Sequence, residues 1–265
     1  KKLPLALASL LALTACGSQA TSNTSQNATQ PAASSAASGG TDQTSATLTI
    51  FAAASLKDVF PKIYEEFKKT HPNYTIEFSF GGSSELATQI NNGAEADVFA
   101  SANEKQMTVA SDAGNVDAAG TKIFATNTLT LVTPPSNPAG ITKLEDATKE
   151  GVKLVVCAEQ VPCGAATKKL AESTGFTFTP VSEEQKVTDV RGKVEAGEAD
   201  AGIVYRTDAV ASGKKVDTIE IPGADQIVNT YPIAPVKASE HAAEAKEFVD
   251  YVMSAEGQKS LKKYG

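Results

Sequence analysis

Four short loops of small residues carry what chemistry this chain has to offer. Ser55, Ser83-Ser84, Cys163-Gly164 and Asp189-Val190 each stand where an extended segment gives way to a helical pattern. The first backbone N–H groups of a helix have no acceptor within it. The helix dipole adds roughly half a positive charge at the same end. A strand-to-helix loop is therefore a natural anion site, and in an open α/β sheet such loops gather at the carboxyl ends of the strands. One such loop means little. Four, shared between two α/β halves, point to an anion held between them.

An enzyme's equipment is missing from the same loops. The two histidines, His71 and His241, have no Cys, Asp or His neighbour at metal-ligand spacing. The sequence holds no Gly-x-Ser-x-Gly elbow, Walker loop or dinucleotide fingerprint. No catalytic residue and no cofactor are expected. Asp97 and Asp200 are open to two readings: a carboxylate pair, or structural residues at strand entries.

The elements that must position these loops can be read from periodicity. Residues 47–51 alternate and are rich in β-formers. Leu56, Val59, Phe60, Ile63 and Phe67 then recur at helical spacing. Ser55 is placed to cap that helix, with Asp58 three residues on. A strand at 75–80, a helix at 85–92 and a strand at 96–100 follow. The order strand-helix-strand-helix-strand implies a parallel sheet with covering helices. A similar order returns with a strand at 153–157, a helix at 165–173, an extended stretch at 176–180, a helix at 188–196 and a strand at 201–205. Gly93-Ala-Glu-Ala-Asp97 and Gly197-Glu-Ala-Asp200 precede equivalent strands. The chain ends with an extended segment at 228–236 and helices at 240–253 and 256–264, placed most simply back on the first lobe. The expected organisation is lobe I at 47–126 and 229–265 and lobe II at 127–228, with crossings near Asn127 and Asn229 that allow hinge motion.

The first residues read as an address. Lys1 and Lys2 precede a run, 3–13, that is apolar except for Ser9. It is too short to cross a bilayer, which takes ~20 apolar residues, and fits the core of a secretory signal. Leu13-Thr14-Ala15-Cys16-Gly17 resembles the lipobox of bacterial lipoproteins, in which the cysteine is acylated. An ordinary signal peptide with a chance cysteine is the alternative. All of residues 17–46 except Asp42 are Gly, Ser, Thr, Ala, Asn, Gln or Pro. That composition cannot bury a core. It describes a linker with a reach of roughly 30 Å. The expectation is a signal at 1–16, lipid on Cys16, a disordered linker at 17–46, and a folded part held at the extracytoplasmic face of the membrane. The formal net charge of −7 and the lack of a basic stripe argue against nucleic acid and anionic membrane surfaces as partners. With Cys16 acylated, Cys157 and Cys163 remain as an even pair in an oxidising compartment.

Six segments in order carry a family resemblance. They are Phe51-Ala-Ala-Ala-Ser-Leu56, Gly82-Ser-Ser-Glu-Leu86, Gly93-Ala-Glu-Ala-Asp-Val-Phe99, Val161-Pro-Cys-Gly164, Asp189-Val-Arg191 and Gly202-Ile-Val-Tyr-Arg-Thr-Asp-Ala209. Together they resemble the molybdate-binding proteins of bacterial molybdate ABC transporters, over residues 47–265. The resemblance implies an α/β, two-lobed periplasmic-binding-protein fold of type II, each lobe a mainly parallel sheet flanked by helices, with the ligand in the cleft. It implies molybdate or tungstate held by hydroxyls and backbone amides without a salt bridge. By position, Ser55 and Ser83 resemble the first-lobe ligands. Cys163 and Val190 resemble backbone N–H donors from the second lobe, and Tyr205 the phenol donor. The partners implied are an ABC permease and its ATPase, and the chain is expected to be a monomer.

Many members of that family carry Ala where this chain has Cys163, an exchange that a backbone donor tolerates. Export then makes a Cys157–Cys163 disulfide reasonable, stapling the second-lobe loop, beside the rival readings of free thiols or a metal pair. Arg191 and Arg206 flank two of the site residues, either to approach the anion or to form structural ion pairs. Rival functions are a binding protein for another oxyanion such as sulfate, a secreted enzyme on the same bilobal fold, and a sensor module.

Overall fold

The computed structural model describes residues 45–265. The readings made for the signal at 1–16, for Cys16 and for most of the linker lie outside the described residues. Ten strands are β1 (Ala46–Ala53), β2 (Tyr74–Gly81), β3 (Val98–Ala100), β4 (Lys122–Asn127), β5 (Leu129–Thr133), β6 (Leu154–Cys157), β7 (Ser182–Glu184), β8 (Ala201–Tyr205), β9 (Asp217–Ile219) and β10 (Asn229–Pro235). Eight α-helices are α1 (Phe60–Thr70), α2 (Ser83–Asn91), α3 (Glu104–Asp112), α4 (Pro162–Thr174), α5 (Val187–Glu195), α6 (Arg206–Ser212), α7 (Ala242–Met253) and α8 (Ala255–Lys263). Among the described residues no helix is long and apolar enough to cross a membrane.

The strands form two five-stranded sheets, ordered β2-β1-β3-β10-β4 and β7-β6-β8-β5-β9. In each sheet four strands run one way and one runs against them. That strand is β10 in the first sheet and β5 in the second. The chain leaves the first sheet through Thr128, between β4 and β5, and returns at β10. Asn127 of β4 pairs with Asn229 of β10, so the two crossings lie side by side.

Burial follows the sequence pattern. The apolar stripe of α1 places Phe60, Ile63 and Phe67 wholly inside the first lobe. Phe67 packs edge-on against Phe248 of α7 at 5.5 Å and against Tyr251 at 5.2 Å. The second lobe's core is aliphatic, built on Leu131, Leu154, Val190, Val194 and Ile203. Gly202 lies under α5 because a side chain there would meet Val194 and Val190 at 2.8 and 3.0 Å.

Asp97 and Asp200 hold equivalent structural places. The Asp97 carboxylate accepts the Thr49 N–H at 2.7 Å, and Asp200 accepts the Lys153 N–H at 2.8 Å. Each ties the entry to one lobe's third parallel strand to its first, at mid-strand in β1 and just ahead of β6. The capping role read for Ser55 and Asp58 is corrected. A 3-10 turn spans Ala54–Leu56, and α1 begins only at Phe60. Pro61, in the first turn of α1, lacks an N–H and has φ preset for a helix, which favours a start there. The extended stretch read at 176–180 carries no strand, and the strand of this region forms just after it at β7.

Candidate functional site

The carboxyl ends of β1, β2 and β8 meet the first turns of α2, α4 and α5 around a small cavity between the lobes. Ser55, Gly82 and Ser83 line it from the first lobe, and Pro162, Cys163, Val187 and Tyr205 from the second. Lys186, beside Val187, is the one charged residue of the lining among the described residues.

Ser83 is the first residue of α2 and is buried. Its Oγ accepts the Ala102 N–H at 2.9 Å, so its own O–H remains a donor. Ser55 sits in the 3-10 turn after β1, its Oγ 2.9 Å from the Tyr231 hydroxyl. Cys163 is the second residue of α4, behind Pro162. Proline has no N–H, so Cys163 offers the first N–H of that helix. A disulfide joins Cys163 to Cys157. Gly164 is obligatory at this loop, because a Cβ there would lie 1.8 Å from the Ala158 carbonyl oxygen.

Tyr205 ends β8 and is buried, and its hydroxyl accepts from Asn229 Nδ2 at 2.6 Å. Burial pushes the phenol well above its ordinary pKa, with Tyr231 and Asp208 adding to the shift. Tyr205 is thus a neutral donor at any physiological pH. Asn229 Nδ2 also donates to the Ala102 carbonyl at 3.0 Å. Asn127 Nδ2 reaches Thr207 Oγ1 at 2.7 Å and the Tyr231 hydroxyl at 3.3 Å.

Val190 is the fourth residue of α5, its side chain packs under Gly202, and it is not among the residues lining the cavity. Val187, the first residue of α5, does line it. Arg191 does not line the cavity. It reaches across the cleft to Asp58 at 2.7 Å, with Glu195 at 3.5 Å and Asp208 at 4.0 Å on its own lobe. Burial works against the Arg191 charge, but the pair with Asp58 outweighs it and raises its pKa. Asp208 is buried, and burial pushes its carboxyl up to about 7 against the pull of Arg191. One of its oxygens has no hydrogen-bond partner. Arg206 is exposed, on a groove shared with Glu220 and Asp225.

The lobes touch around the cavity. Gln106 donates to the Gln160 carbonyl at 3.1 Å. A Cβ on Gly82 would lie 2.3 Å from the Gln185 carbonyl oxygen, although the backbone of Gly82 is an ordinary extended one. The arrangement is a closed cleft whose donors are hydroxyls and helix-start N–H groups. Among the described residues no group of three or more His, Cys, Asp or Glu is placed to hold a metal ion. Sequence reasoning placed Asn127 and Asn229 at the crossings but missed what their side chains do. The signal was available as polar side chains at the mouth of an apolar strand, since buried polar groups need partners.

Residues 48–265 match the family described as bacterial extracellular solute-binding proteins. The molybdate-binding protein ModA of Mycobacterium tuberculosis is 43% identical over 253 residues, which is 96% of this chain and 92% of that protein. The molybdate-binding protein ModA of Escherichia coli is 35% identical over 228 residues, 82% of this chain and 88% of that protein. The periplasmic molybdate-binding protein of Azotobacter vinelandii shares the fold with a TM-score of 0.72 at 19% identity, over 82% of this chain and 97% of that one.

Proposed function

The chain belongs to the family of bacterial extracellular solute-binding proteins, and from that premise we propose that it captures molybdate for import by an ABC transporter. The reading rests chiefly on the site itself. Two buried hydroxyls, Ser83 and Tyr205, and the first N–H groups of α2, α4 and α5 surround one small cavity between lobes. The name borne by the Mycobacterium tuberculosis relative agrees with it. Hydrogen bonds to a charged acceptor are worth roughly 1.5–3 kcal/mol each, so a handful bind a bare dianion tightly. A site made of donors disfavours hydrogen phosphate, whose own proton would lack an acceptor. Sulfate carries no proton, so cavity size must reject it, and tungstate should bind like molybdate.

An anion that touches both lobes binds the closed state better than the open one and so drives closure. The closed form is the one to dock on a permease powered by an ATPase. We extend the proposal to the address, with lipid on Cys16 and the linker holding the loaded lobes near the transporter.

Calorimetric titration with molybdate, tungstate, sulfate and phosphate tests the specificity. Tight binding of the first two and weak binding of the others is expected, and equal affinity for sulfate rejects the claim. Ser83→Ala and Tyr205→Phe are each expected to weaken molybdate binding at least tenfold. For the anchor, Cys16→Ser is expected to release the protein from the membrane fraction, and its retention there would reject lipidation.

A further inference from the structure

Asn229 opens β10, where the chain returns from the second lobe to the first, and it is buried. Its side-chain nitrogen faces three oxygens. They are the Tyr205 hydroxyl at 2.6 Å, the Ala102 carbonyl at 3.0 Å and, more weakly, the Pro162 carbonyl at 3.5 Å. Two carbonyl oxygens around one atom fix the amide's orientation, since a flipped amide would set its own oxygen against both. The group facing Tyr205 is therefore an N–H, and an N–H only donates. The phenol oxygen must accept it, which leaves the phenol proton aimed elsewhere. Across the cleft, the Ala102 N–H does the same to Ser83 Oγ at 2.9 Å. Ala102 thus links the two: its N–H fixes the serine and its C=O receives the asparagine. One hydroxyl from each lobe thus has an acceptor position filled and its O–H left to donate.

We infer that Asn229 is a positioning residue for the bound anion, acting through Tyr205: it makes the phenol an obligate donor and so sets the preference for oxyanions that carry no proton. The inference rests on the reading that Tyr205 donates to an oxyanion in this cleft. Without Asn229 the phenol oxygen is free to accept as well. It then loses its fixed aim at a bare oxyanion and gains an answer to the proton of hydrogen phosphate.

The test is a double-mutant cycle read by calorimetry, with molybdate and inorganic phosphate as ligands at pH 8. Asn229→Ala is expected to raise the molybdate Kd about tenfold or more in the otherwise native protein. In the Tyr205→Phe background the same change is expected to cost under about threefold, because its route is gone. The phosphate Kd is expected not to rise with the molybdate Kd, so the selectivity ratio falls. A purely structural role would weaken both ligands together and cost the same in both backgrounds. That result, or an unchanged Kd, overturns the inference. If Asn229→Ala does not fold, Asn229→Ser enters the same cycle and is judged by the same ratio. Native protein that binds none of the oxyanions overturns the proposed function itself, and Tyr205→Phe without effect overturns the role of Tyr205 on which the inference rests. Native binding, a weakened Tyr205→Phe and an additive cycle overturn the role of Asn229 alone.

Discussion

The sheets β2-β1-β3-β10-β4 and β7-β6-β8-β5-β9 follow one plan, yet the two lobes are held together differently. The first is locked by interleaved rings, with Phe60, Phe67, Phe124 and Phe248 in tilted and edge-on contact. The second is aliphatic, carries a disulfide at its ligand loop and buries a carboxylate. They also give the ligand different groups. The first presents serine hydroxyls at the ends of packed strands. The second presents N–H groups from a covalently closed loop, and a phenol. Precision comes from ring packing in one lobe and from a staple in the other. The first lobe therefore loses most from core truncation, and the second from changes in redox state and pH.

Core truncation should give the largest effect. Phe67 touches Phe248, Tyr74 and Tyr251 edge-on and stacks on His71 at 4.0 Å. Phe67→Ala is expected to cost ~3–5 kcal/mol of stability, measured by denaturant unfolding. A loss near ~1 kcal/mol would break the comparison, because the ring cluster would then not be what holds the first lobe.

Asp208 comes next and belongs to the second lobe alone. Burial raises its folded pKa from 3.8 to about 7. Between those values the folded state keeps a proton that the unfolded state has lost, so stability falls as pH rises through that window and levels off above it. Asp208→Asn is expected to remove this slope, gaining about 4 kcal/mol on the native protein between pH 4 and pH 8. Parallel stability curves for the two proteins across that range would show that the buried carboxylate carries no such cost.

The staple is the third and smaller test. Closing the short loop between Cys157 and Cys163 is worth about 2 kcal/mol by chain entropy. Replacing both cysteines by alanine is expected to lower the melting temperature by several degrees and to weaken molybdate binding modestly, because the Cys163 N–H loses its fixed place. Reductant should do the same to the native protein and nothing further to the variant. An unchanged melting curve on reduction would leave the second lobe's loop as well fixed by packing as the first lobe's.

The same contrast explains how much could be read in advance. The strands β1, β2, β6 and β8 and their helices carry clear alternation or apolar stripes, and the shared Glu-Ala-Asp run (95–97 and 198–200) marks equivalent strand entries in both lobes. The strands β4 and β5 escaped because Thr128 alone separates them and no turn residue marks the crossing. β7, Ser-Glu-Glu at a sheet edge, has no strand signature at all. At the site, residue types were legible and helical phase was not. Which N–H groups face the cavity depends on where α5 begins, and that helix starts at Val187, three residues ahead of Val190. The partners of Ser55 and Tyr205, Tyr231 and Asn229, come from a strand more than twenty residues away in sequence in the nearer case. No local pattern announces such a pairing.

The smallest expected effect concerns an ion pair between the two lobes. Arg191 belongs to the second lobe and Asp58 to the first, and they meet at 2.7 Å across the cleft. Arg191 is 15% exposed and Asp58 37%, so solvent screens the pair in part. If the bond forms only when the cleft shuts, it adds to ligand affinity without adding to the stability of the open protein. Asp58→Asn is then expected to weaken molybdate binding by up to about fivefold, mostly through faster release, with little change in melting temperature without ligand. Arg191 keeps Glu195 and Asp208 beside it in that variant, so the second lobe does not inherit an isolated charge. The gap between variant and native protein is expected to close in ~1 M salt, where the screening length falls to ~3 Å. An affinity that is unchanged at low salt, beside a lowered melting temperature without ligand, would mean that the pair persists in the open form and that Arg191 serves the fold of both lobes equally.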